Sequence, residues 1–344
     1  MSKKKIGIIG ATGYTGSELV RLLVHHPFAE IVTITSESRK GDKFSDVHPQ
    51  FLGICDQELE SIEHLEHHEL DIVFLALPHG VSMDFVVKHH DKDFTIIDLS
   101  GDFRLSTPEV YQEWYQKEHV FADGFANAVY GLPELYRDRI SADKIIANPG
   151  CFPTASILPI APLVIENLVE KNIIVDAKTG VTGAGIKAKP VTHFPNANDN
   201  FTAYGVTTHR HSIEIQEKVS EHYFDKAEVL FTPHLLPVDR GILATTYMKP
   251  KGDITQEQID KIYQKHYDSE PFVKVVDKLP NLKEVRGTND CRIYVKLDER
   301  TNTIIAIGVI DNLVKGAAGQ AIQNMNIVLG IAETTGLNIV PLQP

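Results

Sequence analysis

The sequence predicts an α/β protein of two domains. The first is a parallel sheet with helices between its strands, and the second is an α+β unit with a mixed, largely antiparallel sheet. Three observations lead there. The first 150 residues alternate short β-type runs with helical stretches. From about Ile173, strand-like runs follow one another across longer loops with few helices. At 344 residues the chain is also long enough to split into two cores.

In chain order, Ile6–Ile9 is the first predicted strand and Ser17–His26 the first helix, closed by Pro27. Strands are then expected at Ile31–Thr35, Asp71–Leu77, Thr95–Leu99 and Lys144–Ala147. Pro78 and Pro149 fall just after strand runs, where a turn uses their fixed φ. In the second half the expected strands are Ile173–Lys178, Glu228–Thr232, Leu243–Tyr247, Cys291–Lys296 and Thr303–Ile310. Ala317–Thr335, with Ile322, Met325, Ile327, Val328 and Ile331 among small residues, reads as a buried helix.

Composition removes several function classes. Lys and Arg total 34 against 46 Asp plus Glu, a formal net charge of −12, which argues against nucleic-acid and anionic-membrane partners. No apolar run reaches the roughly 20 residues that span a bilayer, and the opening Met-Ser-Lys-Lys-Lys-Ile-Gly-Ile-Ile-Gly does not read as a signal peptide. Three scattered cysteines cannot make a disulfide framework or a thiolate zinc site, so a reducing cytoplasm is the expected home.

The first strand runs into Gly10-Ala-Thr-Gly13-Tyr-Thr-Gly16 and then a helix. Glycines allow a tight turn and close approach of a ligand, and the helix start offers N–H groups and a positive dipole end to phosphate. Gly10, Thr12, Gly13, Tyr14, Thr15 and Gly16 are therefore candidate dinucleotide contacts, and the first domain reads as Rossmann-like. A purely structural strand-to-helix turn is the alternative. At the end of the second strand, Ser36 stands where an acidic side chain would read the ribose of NAD. Ser38, Arg39 and Lys40 follow within reach of a 2′-phosphate, which favours NADP(H), while Glu37 is the discordant residue.

Cys151 lies in Asn148-Pro-Gly150-Cys151-Phe-Pro153-Thr154, after a strand and at the start of a helix, where the dipole stabilises a thiolate. Pro153 is tolerated in a first turn, whereas Pro159 and Pro162 are expected to kink or end the helix early. Cys55 and Cys291 have no neighbouring base or glycine turn and read as structural. A thiolate beside a nicotinamide suits one chemistry: it takes an acyl group from an activated acid as a thioester, which accepts hydride where a carboxylate does not.

Most of the 16 histidines have plain explanations. His64, His67, His68 and the His89-His90 pair read as solvated surface, and no metal site is expected. His209-Arg210-His211-Ser-Ile-Glu214 differs, because on a helix start Glu214 lies one turn from His211 and could orient it. The group suits a base with an anion-binding neighbour; a capping cluster on the surface is the alternative.

Taken with these, further segments make the chain resemble the N-acetyl-γ-glutamyl-phosphate reductases, within the semialdehyde dehydrogenase superfamily. They include Leu77-Pro-His-Gly80, Ser100-Gly-Asp-Phe-Arg104, Tyr130-Gly-Leu-Pro-Glu134 and Thr179-Gly-Val-Thr-Gly-Ala-Gly185. Phe231-Thr-Pro-His-Leu235, Gly287-Thr-Asn289 and Asp311-Asn-Leu-Val-Lys-Gly-Ala-Ala318 complete the ordered set. The resemblance implies NADPH-dependent reduction of N-acetyl-γ-glutamyl phosphate to the semialdehyde, with phosphate release, in arginine biosynthesis. It implies an acyl-enzyme on Cys151, with His211 and His209 as base and substrate ligand. It further implies a substrate contact from Arg104 and places Asn312 near the nicotinamide; Lys187, Arg210 and Asn148 are further candidate substrate contacts. The expected domains are 1–150 with 314–344 for the dinucleotide and 151–313 for catalysis and oligomerisation, in a homodimer or homotetramer. His209 counts with Arg104, Lys187 and Arg210 as a candidate cation for the substrate's anions.

The chain departs from the family pattern at Ile213, at Ile186-Lys187 and at Arg292. Reduction of an aspartyl or aminoadipyl phosphate is the neighbouring alternative. A redox-sensing NADP protein is the distant one, which the lack of a second cysteine near Cys151 disfavours.

Overall fold

The computed structural model describes residues 2–141, 144–222 and 226–343. Met1 and Pro344, the outer limits of the expected dinucleotide domain, lie outside the described residues. The chain divides into two units, Met1–Pro149 with Ala317–Asn338 and Gly150–Gly316 with Ile339–Pro344.

The first unit is built on six strands: β1 (Lys4–Ile9), β2 (Ala29–Thr35), β3 (Ile72–Leu75), β4 (Thr95–Asp98), β5 (Ala128–Tyr130) and β6 (Ile145–Ala147). They lie in the order β2-β1-β3-β4-β6-β5, and every neighbouring pair is parallel. β3 and β6 are buried along their whole length, as strands covered on both faces must be. The edge strand β5, three residues long, was not read from the sequence. Up to Pro149, the described helices of eight residues or more in this unit are α1 (Tyr14–Leu23), α2 (Ser82–His89), α3 (Pro108–Tyr115) and α4 (Pro133–Ile140). α1 starts three residues before the predicted Ser17 because Gly13, in extended conformation, takes the N-cap position, and it ends at Leu23 rather than His26.

The second unit holds β7 (Val169–Thr179), β8 (Thr202–Ala203), β9 (Glu228–Leu235), β10 (Ile242–Pro250), β11 (Val273–Val275), β12 (Cys291–Asp298) and β13 (Thr303–Ile310). Their order is β11-β12-β13-β10-β7-β9-β8. β7 with β9 and β11 with β12 are parallel, and the other four pairings are antiparallel. Three substantial helices accompany it, more than the sequence suggests: α5 (Cys151–Ile165), α6 (His211–Ser220) and α7 (Gln256–Tyr267). α5 packs on β10 and β13, and against α6 and α7.

The expectation that Pro159 and Pro162 cut α5 short is wrong: the helix runs 15 residues through both. A helical proline strands the carbonyl four residues earlier, here those of Ala155 and Leu158. The Tyr267 hydroxyl donates to Leu158 O at 2.5 Å, and the Tyr263 hydroxyl donates to Pro159 O. Gly308 of β13 presses against Ala155 O so closely that a Cβ there would lie 2.2 Å from it.

The chain closes with a π-helical turn, Val314–Ala318, and α8 (Gly319–Val328), which belongs to the first unit. Gly330, at φ +64°, takes the left-handed conformation that ends helices, so Ile331, inside the predicted span, falls outside the helix. α8 buries amides as well as apolar groups: Gln320 Nε2 and Asn324 Nδ2 donate to Gly131 O at 2.7 and 2.9 Å. No helix of the described residues is long and apolar enough to cross a membrane.

Tyr267→Phe should leave the Leu158 carbonyl buried without a side-chain donor. The expected loss is about 1–3 kcal/mol of unfolding free energy, read as a lower urea midpoint at unchanged slope. An unchanged midpoint would mean the prolines need no such partner.

Candidate active site

In the first unit the glycine loop forms an open cradle. Gly10, at φ +87°, lies against β3's end, where a Cβ would come 2.6 Å from Ala76 O. Gly16 presses on the loop itself, its Cβ position 2.4 Å from Gly10 O. Around Gly13 there is open space: the nearest atom to a Cβ there is Gly10 O at 3.9 Å. No side chain caps α1, so its first N–H groups remain available to an anion. These features fit the pyrophosphate of a dinucleotide.

Thr12 Oγ1 and Ser36 Oγ share a hydrogen bond of 3.0 Å, tying the loop to the end of β2. Glu37 is occupied elsewhere, accepting from the Ser61 hydroxyl and from Ile62 N at 2.7 Å. Arg39 Nε donates to Asp42 at 2.6 Å, while Ser38 and Lys40 are exposed. The strand end therefore carries hydroxyls and cations, with Glu37 turned to a structural task and Asp42 paired with Arg39.

Arg104 and Asn148, expected as substrate ligands, are buried braces within the first unit. Arg104 Nε donates to Asn148 O at 2.7 Å and Nη2 to Leu99 O at 2.8 Å. Asn148 Nδ2 donates to Ala317 O at 3.2 Å, and its Oδ1 accepts from Asn324 Nδ2 at 3.1 Å. Beside them Asp102, fully buried, accepts from Gly80 N, Met83 N and the Tyr111 hydroxyl. Burial, with the Asp102 charge adding to it, pushes the Asp98 pKa up to about 6.

In the second unit Gly150 is the N-cap of α5, and half-buried Cys151 is its first residue. The Gly150 N–H donates to Glu214 Oε1 at 2.8 Å, and Glu214 is completely buried on α6. A Cβ at Gly150 would lie 2.6 Å from His211 Nε2 and 3.0 Å from Glu214 Oε2, so α6 reaches the turn before Cys151 only because Gly150 has no side chain. Sequence spacing assigns Glu214 to orienting His211; the structure adds that it anchors the turn before Cys151. From the other side Gly316 approaches Cys151, whose Cβ would be 2.8 Å from a Cβ at that glycine.

His209 stands at the centre of a ring cluster, edge-on to Phe152, Tyr204, Phe231 and His211 at centroid distances of 5.6, 5.5, 5.4 and 4.8 Å. Its Nδ1 accepts from His211 N at 3.1 Å, which puts the imidazole hydrogen on Nε2. Burial, and then the Arg210 charge, push its pKa down to about 4. His209 is thus neutral near pH 7, and it does not serve as the cation the sequence reading counted.

Tyr204, five residues before His209 and part of no motif read from the sequence, also belongs to this cluster. Burial and the Cys151 charge raise its pKa, so its hydroxyl stays a donor. Lys187 and Arg210 are exposed, and Ile186 is 50% exposed in the same loop. Arg292 Nη1 pairs with Glu284 at 2.6 Å. Asn312 accepts from Gly241 N at 2.7 Å and donates to Thr182 Oγ1 at 2.9 Å, knitting two loops of the second unit.

Cys55 and Cys291 are buried, and burial raises the Cys55 thiol pKa. His64, His67 and His90 are exposed, but His68 Nε2 pairs with Glu60 at 2.8 Å and His89 packs on Phe85. Among the described residues no cluster of His, Cys, Asp or Glu is placed to hold a metal.

Residues 5–143 match the model of the semialdehyde dehydrogenase NAD binding domain, and residues 151–312 that of the semialdehyde dehydrogenase dimerisation domain. The chain is 47% identical over 345 residues to a Methanococcus maripaludis (strain C5) protein named N-acetyl-gamma-glutamyl-phosphate reductase, covering 99% of this chain and 100% of that one. Identity to the Bacillus subtilis (strain 168) protein of the same name is 47% over 344 residues, with 99% and 100% covered. Among solved structures it is similar in fold to aspartate semialdehyde dehydrogenase II from Vibrio cholerae, complexed with ASA. That match has TM-score 0.74 at 15% identity, over 96% of this chain and 99% of the other. The Candida albicans aspartate semialdehyde dehydrogenase with NADP gives TM-score 0.67 at 16% identity, over 95% and 99%.

Gly150→Ala should force His211 and Glu214 away from the nucleophile's turn. A displacement of this size is expected to lower alkylation of Cys151 by iodoacetamide at pH 7 by up to about 100-fold, with dinucleotide binding retained. Alkylation at the parent rate would show that the turn tolerates a side chain.

Proposed function

The chain belongs to the N-acetyl-γ-glutamyl-phosphate reductase family of semialdehyde dehydrogenases, and from that premise we propose that it reduces N-acetyl-γ-glutamyl phosphate to N-acetylglutamate semialdehyde, releasing phosphate, in arginine biosynthesis. The observation that carries the reading is Cys151 at a helix start, on a turn anchored by buried Glu214 and flanked by His211.

His211 takes the thiol proton. The Cys151 sulfur then adds to the acyl carbon, the C–O bond to phosphate breaks, and the acyl group rests on sulfur as a thioester. A nicotinamide dinucleotide held by Gly10, Thr12, Gly13, Tyr14, Thr15 and Gly16 supplies hydride when bound. As the aldehyde departs, the C–S bond breaks, its electron pair returns to sulfur, and His211 returns the proton. Glu214 keeps the turn fixed throughout.

We assign the cofactor as NADP(H). Ser36, Ser38, Arg39 and Lys40 offer hydroxyls and positive charge to a 2′-phosphate, and Glu37, the residue that would argue for NAD, is engaged with Ser61 and Ile62.

The purified protein should oxidise N-acetylglutamate semialdehyde with NADP and phosphate, and barely touch aspartate semialdehyde, whose free ammonium would lack a partner. Mass spectrometry should find the acyl group on Cys151, and Cys151→Ala should abolish turnover while still binding NADPH. Faster oxidation of aspartate semialdehyde would refute the pathway, and substantial activity in Cys151→Ala would refute the mechanism.

Charge-assisted contacts to the 2′-phosphate are worth roughly 1.5–3 kcal/mol. That corresponds to about tenfold or more in kcat/KM for NADPH over NADH; equal values would overturn the cofactor assignment.

A further inference from the structure

His209 has one ring nitrogen committed and one open. Nδ1 accepts the His211 backbone N–H at 3.1 Å, so Nε2 carries the hydrogen. Nε2 makes no hydrogen bond to any described residue and is not among the fully enclosed polar atoms. Four rings hold the imidazole edge-on, which fixes the direction of that N–H. Through Tyr204, whose hydroxyl senses the Cys151 charge, the cluster borders the nucleophile.

Resting on the reductase reading, we propose that His209 is a catalytic hydrogen-bond donor whose neutral Nε2–H binds the acyl oxygen while Cys151 is bonded to the acyl carbon. When sulfur adds to that carbon, the carbonyl π pair moves onto oxygen. The N–H donates to the oxyanion without transferring its proton, and the pair returns to form C=O as the phosphate C–O bond breaks. A fixed neutral donor suits this task, because it strengthens its bond as charge develops and gives up no proton. With its pKa down at about 4, His209 keeps this state across the physiological range. The pair thus divides the work, His211 moving the proton and His209 holding the charge.

The titratable groups facing His209 are Arg210 and His211 on its own segment and Tyr204 before it. None is a carboxylate, and the Arg210 charge disfavours an imidazolium.

The test compares His209→Gln, whose amide N–H reaches toward the Nε2 position, with His209→Leu, which fills space without a donor. Wild-type turnover of N-acetylglutamate semialdehyde with NADP and phosphate is measured first. His209→Leu should lose about 10²–10³-fold in kcat at little-changed KM, and His209→Gln should recover most of it. Alkylation of Cys151 by iodoacetamide, which develops no oxyanion at an acyl carbon, should stay at the wild-type rate in both. Equal loss in the two variants, a loss confined to KM, or a parallel fall in alkylation overturns the assignment. Absence of wild-type turnover on any semialdehyde would instead overturn the reductase reading.

Discussion

A missing side chain governs the second unit. Gly150 donates its backbone N–H to a fully buried carboxylate, and the space beside its Cα is filled by His211 Nε2 and Glu214 Oε2. Buried carboxylates are costly unless hydrogen-bonded, so Glu214 and the turn hold one another in place. Any Cβ at this position sets the helix bearing Cys151 against the helix bearing His211. Gly316 repeats the theme from the other side of Cys151, at the end of a loop fixed by Asp311. That aspartate, completely buried, accepts from Gly287 N at 2.7 Å and Leu313 N at 2.8 Å, while its own carbonyl accepts from Gly316 N at 2.9 Å. The thiol is therefore bounded by backbone held with charge, a rigid arrangement that long side chains would not give.

How much of this was legible depended on the kind of signal. Strands announce themselves as Ile and Val runs, and antiparallel β13, Thr303–Ile310, was placed to the residue. Glycines and helix starts mark the cradle and the nucleophile because they reflect local backbone demands. The errors came where tertiary partners decide. Two prolines are a helix stop by local rules, and only tyrosines more than 100 positions away and Gly308 reverse that. Nothing local shows that Arg104 also donates to the Asn148 and Leu99 carbonyls. Nothing local marks Glu37 as a partner of Ser61, 24 residues on.

Charge state is the property sequence conveys least. His209 and His211 are two residues apart in a polar-looking stretch, and both would be read as titrating near neutrality. Burial among aromatic rings and a neighbouring arginine separate His209 from that range. A histidine so placed loses its value as a cation and gains value as a fixed dipole, since the backbone N–H on Nδ1 leaves one tautomer.

The prolines of α5 connect the fold to the chemistry. A nucleophile at a helix N-terminus benefits from the dipole only if the first turn does not fray. Locking φ at Pro153, Pro159 and Pro162 removes conformational freedom from the unfolded chain, and each internal proline also removes one helical hydrogen bond. Tyr267 restores a partner to the Leu158 carbonyl, and the close pass of Gly308 shields that of Ala155. The helix is thereby stitched to α7 and β13 at the points where it would otherwise bend. Its start is fixed by Glu214 and its middle by those tyrosines, leaving Cys151 on a support clamped at both places. Rigid placement of the sulfur follows from residues that, read one at a time, look like reasons for the helix to break.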